Sequence, residues 1–220
     1  MMKLKILYDN EAEKPLVSSW GFSAFIEGEK ENVLFDTGDK GGVLKNNMDE
    51  MGIEVDSVDK IVISHEHHDH TGGLFDILDD SMEVYLLKAF SKRFKDKVKR
   101  KGQLVEVKDT QDISEDIKTT GKIGSSIVEQ SLLLDYKDGY IVLTGCAHPG
   151  LSKILKEASR YGDIKGAVGG FHGFDKLVEL DDLSIIVPCH CTKYKNKIRN
   201  KYPERSMDCY AGLELDLEGE

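Results

Sequence analysis

Six consecutive positions, His65-Glu66-His67-His68-Asp69-His70, carry four imidazoles and two carboxylates. Imidazole nitrogen is a borderline-soft donor that suits zinc, iron and other transition ions. In a loop leaving a strand, alternate side chains point to one side. That would bring His65 and His67 together on one ion, and leave Asp69 and His70 to serve a second. The helical zinc motif H-E-x-x-H is not met, because Asp69 stands where its last histidine belongs. A catalytic tetrahedral site needs three protein ligands and an open position for water. His148 is the third ligand expected for the first ion, and His190 for the second. Asp69 has an alternative role, orienting hydroxide and shuttling its proton.

The remaining histidines recur in one structural context. "KIVISHEHHDHTGGL", "YIVLTGCAHPGLSKIL", "IKGAVGGFHGF" and "SIIVPCHCTKY" each begin as an apolar, β-branched run and then reach histidine. Continuous apolar runs are strands buried on both faces, and the carboxyl ends of such strands are where α/β sheets place ligands. All seven histidines therefore fall at four strand ends, where a solvated polar loop would have scattered them. Further strands are expected at Lys3–Leu7, Phe22–Glu27, Asn32–Gly38, Lys60–Ser64 and Glu83–Leu87. Helices are expected at Gly73–Leu78, across the basic stretch Leu87–Gln103, and from Gly150 to Tyr161. "SSIVEQSLLLDY" and "GYIVLTG" read as a hairpin around Lys137–Gly139. Meanders mixed with strand–helix–strand units predict mixed sheets. No linker composition interrupts the chain, so residues 1–220 are expected to form one domain.

The chain has 220 residues, 40% of them hydrophobic and 32% charged, as in a globular protein with a sizeable core. No apolar stretch has the length of a membrane span, and the charged opening "MMKLKILYD" reads as a strand, not a signal peptide. Four cysteines, two of them flanking His190, do not form a secreted disulfide framework and point to a reducing cytoplasm. A net charge of −10 counts against nucleic-acid binding. One segment opposes that trend: "LKAFSKRFKDKVKRKGQ" holds eight cations against Asp96 alone. It is either a solvated helix face or a basic flap for an anionic, phosphorylated substrate.

The run H-x-H-x-D-H after an apolar strand, followed by T-G-G, resembles the metallo-β-lactamase superfamily. The resemblance extends over nearly the whole chain, through "NVLFDTG", "GCAHPG" and "VPCHCT". It implies an α+β fold, an αββα sandwich of two mixed β-sheets flanked by helices, with metals at one edge between the sheets. It also implies that Asp36 supports the metal loop by hydrogen bonding, which fixes histidine tautomer and orientation. Many members carry an aspartate bridging the two metals; here that interval reads "VGGFHG", with His172 and no carboxylate. "GCAHPG", "GGFHG" and "PCHCT" together resemble the subgroup of dihydropterin ribofuranosylaminobenzene phosphate synthases.

The expected activity is metal-dependent hydrolysis of a small anionic substrate, using one or two divalent ions: zinc first, with iron or manganese as alternatives. His172 would contact the second ion or donate to an oxygen gaining charge. The rivals are a pterin-linked transferase, as the subgroup name implies, and a non-catalytic metal-binding protein. A diiron reductase of this fold would carry a flavin domain, for which the chain has no room. His68 fills a variable motif position and is read as lining. Cys146, Cys189 and Cys191 are read as packing, with thiolate ligation as the alternative. Trp20 is a candidate platform for a flat substrate or a rim residue. The expected partner is a small molecule, with no nucleic acid or membrane, and self-association is left open.

Overall fold

The computed structural model describes residues 2–217. It comprises two compact units, residues 2–108 with 210–217, and residues 109–209. Each contains one mixed β-sheet with helices beside it.

The first unit builds a seven-stranded sheet. Its strands are β1 (Lys3–Tyr8), β2 (Ser23–Glu27), β3 (Val33–Phe35), β4 (Lys60–Val62), β5 (Glu83–Leu87) and β6 (Gln103–Val107), with Glu214–Asp216 outside β1. Strand β2 runs antiparallel to both β1 and β3, whereas β3, β4, β5 and β6 are parallel. Val33, Leu34, Phe35, Ile61 and Val62 are fully buried, as the unbroken apolar runs require. The parallel strands aim their carboxyl ends the same way, so β3, β4 and β5 deliver Asp36, the histidine run and the basic segment to one edge of this sheet.

The helices of this unit are α1 (Gly41–Glu50), α2 (His68–Thr71), α3 (Leu74–Ile77) and α4 (Lys92–Val98). Helix α1 packs on β1 and α3. Its buried Asn47 donates to Leu7 O at 2.8 Å and Val17 O at 2.9 Å, and accepts from Val17 N. One amide thereby ties down the loop that carries Trp20. A buried asparagine in a polar sequence leaves little apolar periodicity, and this helix is not expected from the sequence. The strand expected at Asn32–Gly38 ends early, at Phe35, because Asp36 takes φ +57° and Gly38 φ +65°.

The second unit holds a six-stranded sheet: β7 (Gln111–Ser114), β8 (Ile117–Thr119), β9 (Leu132–Tyr136), β10 (Gly139–Thr144), β11 (Asp163–Gly170) and β12 (Ile185–Cys189). The expected hairpin joins β9 and β10, with Lys137 at φ +53° in its turn. Strands β10, β11 and β12 are parallel. Helix α5 (Leu151–Ala158) buries Leu151, Ile154 and Ala158 at helical spacing among Val142, Ala167 and Phe171. Helix α6 (Lys195–Lys201) packs on β12 and buries Ile198. Among the described residues, no helix is long and apolar enough to cross a membrane. The fold class is α+β, with two mixed sheets and flanking helices.

Candidate metal centre

In the first unit, β4 feeds directly into the histidine run. His65 is 1% exposed and His70 is fully buried. His65 Nε2 lies 3.0 Å from His67 Nδ1, with ring centroids 4.5 Å apart. Two nitrogens bound to one tetrahedral ion at ordinary zinc distances lie roughly 3.3 Å apart. The observed 3.0 Å is near that value and is also an N–H···N hydrogen-bond distance; the donor set fits a transition ion. Asp69 Oδ2 sits 3.9 Å from His70 Nε2, so the other two residues of the run also come together.

Asp36 organises this loop from beneath. Its Oδ1 accepts from Ser64 N at 2.7 Å; its Oδ2 accepts from Ser64 Oγ at 2.7 Å and from His70 Nδ1 at 2.6 Å. A carboxylate can only accept here, so His70 carries its proton on Nδ1 and directs the Nε2 lone pair outward. Ser64 Oγ also lies 2.8 Å from His65 Nδ1. The glycines that follow the run are needed for close approach: a Cβ at Gly72 would stand 2.2 Å from Asp39 O, and one at Gly73 2.4 Å from Thr37 O. The loop that carries Asp36 also carries Asp39, which accepts from the hydroxyl of buried Tyr8. Burial first, and then this carboxylate, push the Tyr8 hydroxyl up to about 12.

Two contacts tie the run to neighbours. Trp20, 58% exposed, donates from Nε1 to Asp69 Oδ2 at 3.0 Å. Glu66 accepts from both the backbone N–H and the hydroxyl of Ser91, the residue that caps α4. His68 points elsewhere, into a cavity that it shares with residues of α4.

In the second unit, β10, β11 and β12 lead directly into Cys146–His148, His172 and His190 respectively. The chain turns sharply at each end: Ala147, His172 and His190 take φ of +58°, +46° and +43°. Non-glycine residues rarely adopt such values, and they concentrate at functional positions. The rings of His148 and His172 lie 4.9 Å apart, in the wall of a cavity of about 440 Å³ that Leu151 and Phe171 also line. His190 is 3% exposed, and its ring comes within 4.8 Å of Cys146 Sγ.

Glu129, 1% exposed, is a site residue that the sequence reading missed. Its carboxylate accepts from His148 N at 2.8 Å and Cys146 N at 3.2 Å. The donor atoms of Glu129, Cys146 and His148 all lie within 4.8 Å of one another. Cys146 therefore brings its thiol to both histidines of this unit's two outer turns, beyond the packing role expected for it.

The model of the metallo-β-lactamase superfamily matches residues 21–190. An uncharacterised protein of Methanocaldococcus jannaschii is 28% identical over 87% of this chain and 91% of its own. From the same organism, 7,8-dihydropterin-6-methyl-4-(β-D-ribofuranosyl)-aminobenzene-5'-phosphate synthase is 26% identical over 90% of both chains. A solved structure of a metal-dependent hydrolase of the β-lactamase superfamily superposes with a TM-score of 0.81 at 26% identity, covering both chains completely.

Proposed function

Because the chain belongs to the metallo-β-lactamase superfamily, we propose that it is a metal-dependent hydrolase acting on a small anionic or phosphorylated substrate. The observation that carries this reading is the 3.0 Å approach of His65 Nε2 to His67 Nδ1, beside a His70 whose tautomer is set by Asp36. His65, His67 and His148 are the proposed holders of one divalent ion, and Asp69, His70 and His190 of a second. Imidazole donors favour zinc first, with iron or manganese as alternatives. When bound, such an ion lowers the pKa of water toward neutrality and polarises the scissile group. The chain's own groups do the rest. In the alternative role, in which Asp69 does not hold the second ion, Trp20 orients it to accept a proton from the attacking water. His172 donates to the oxygen that gains charge. The cations of α4 draw anionic substrates toward this edge of the sheet.

A transferase reading is favoured by one observation, the 26% identical synthase whose length the chain matches. Its name places a phosphate and a pterin on the compounds that it handles. The two readings separate on whether water or an organic nucleophile attacks.

The test is elemental analysis of purified wild type and His65→Ala/His67→Ala, paired with a turnover screen of phosphoesters, lactones and thioesters. Metal should be present in the wild type and lost in the double variant, and wild type should hydrolyse one of these classes. Equal metal in both proteins would sink the ligand assignment. Metal without hydrolysis, but with pterin transfer, would move the reading to the transferase.

A further inference from the structure

The basic segment is more than a charged face. Helix α4 and the histidine run together line an open cleft of about 530 Å³, within the size range of small-ligand sites. Its lining includes Arg93, Lys97 and Arg100 from the basic segment, His68 from the run, and Phe75 and Phe94. All of these belong to the first unit.

Six of the eight cations of this segment divide into two groups. Lys92 pairs with Asp96, Lys95 with Glu106, and Lys101 donates to Phe75 O, so these three are used within the protein. The Arg93 and Arg100 guanidinium groups make no hydrogen bond or ion pair among the described residues, and both residues line the cavity. The Lys97 ammonium is held at 3.6 Å over the Phe75 ring, a cation–π contact that fixes it at the cavity wall. Phe75 is braced by Phe94, which rests on Phe90. The one carboxylate in the lining, Glu66, is turned to the N–H and hydroxyl of Ser91. Three fixed or uncommitted cations, an exposed imidazole and a committed carboxylate make a site for an anion with more than one charge. Guanidinium groups present paired donors that match phosphate oxygens.

We propose that this cavity is the subsite for the phosphate group of a phosphomonoester, with Arg93 and Arg100 as its principal ligands and His68 setting specificity at the side nearest the metal loop. The proposal rests on the hydrolase reading only for its place beside the histidine run. Phosphate recognition itself is measurable without chemistry. The Glu66–Ser91 contact then gives the tether a purpose: it holds the anion-binding helix in register with the loop that carries His65 to His70.

The test is calorimetric titration of phenyl phosphate into five proteins: wild type, Arg93→Gln/Arg100→Gln, Lys45→Gln/Lys122→Gln, His65→Ala/His67→Ala, and Arg93→Gln/Arg100→Gln in that last background. Lys45 and Lys122 are exposed and lie outside the cavity, so they control for net charge. Wild type should bind with a dissociation constant of about 1 mM or tighter. The arginine changes should weaken binding at least about tenfold in both backgrounds, and the lysine changes should not. The proposal is overturned by equal affinity in wild type and the arginine variant, by an equal loss in the lysine control, or by no saturable binding. Binding lost only with His65 and His67 would place the phosphate on a metal and also overturn it. If His65→Ala/His67→Ala keeps its metal while the arginine effect persists, the metal assignment fails and the phosphate subsite stands.

Discussion

Asp36 and His70 are both fully buried, and the Asp36 carboxylate accepts from His70 Nδ1 at 2.6 Å. Asp36→Asn keeps the shape but cannot keep both contacts. If its oxygen stays on Ser64 N, its amide N–H faces the His70 N–H, and the ring must change tautomer or rotate. Metal affinity should fall by about 10–100-fold, the usual cost of losing such a partner. Competition against a chromogenic chelator measures this. Wild-type affinity in the variant would show that His70 does not depend on Asp36.

Trp20 holds Asp69 through one N–H. Trp20→Phe preserves the ring face and removes the donor. Turnover should drop by roughly tenfold, about 1.4 kcal/mol in the barrier, if Asp69 orients the attacking water. The same change made in Asp69→Asn should then have much less effect, because the two act as one unit. Independent, multiplicative losses would separate Trp20 from Asp69 and leave it as a substrate contact.

Glu129 is almost wholly buried and accepts two backbone N–H bonds from the Cys146–His148 turn. Glu129→Gln presents an amide N–H to one of them. The loss should be roughly 1–3 kcal/mol of stability, from a buried donor left without its acceptor. Urea denaturation of metal-free protein reads it directly. A variant as stable as wild type would mean that the turn at Ala147 is held by the surrounding chain alone.

His172 stands where many relatives are expected to carry a bridging aspartate. Two divalent cations repel, and an anionic bridge relieves that repulsion. Without it, metal should load in two steps, with the second ion leaving first on mild chelation. His172→Asp should tighten the second step. Calorimetry on both metal-free proteins decides: two equally tight sites, unchanged by the substitution, would remove His172 from the metal question.

The strands bearing histidine were legible because each is a buried β-branched run, and hydrophobic periodicity survives without tertiary information. The turns that make those histidines useful were not. Positive φ at Asp36, Ala147, His172 and His190 is imposed by surrounding packing on residues whose own preferences oppose it. Glu129 was hidden for a related reason. In "SIVEQSLL" a glutamate reads as the solvent-facing position of an alternating strand, and only the N–H groups of a turn far along the chain reveal it as buried. Strands β7 and β8 are short and polar, so the sequence carried no signal for them.

The first sheet also records an order of events. Its β1 strand pairs on one side with β2 and on the other with Glu214–Asp216, setting Leu4 against Leu215. A nascent chain emerging from the ribosome therefore carries β1 with one side of its backbone unmatched until nearly every other described residue has been made. Exposed strand edges recruit other chains, and contacts this distant in sequence close late. The last strand acts as a latch whose arrival completes the sheet.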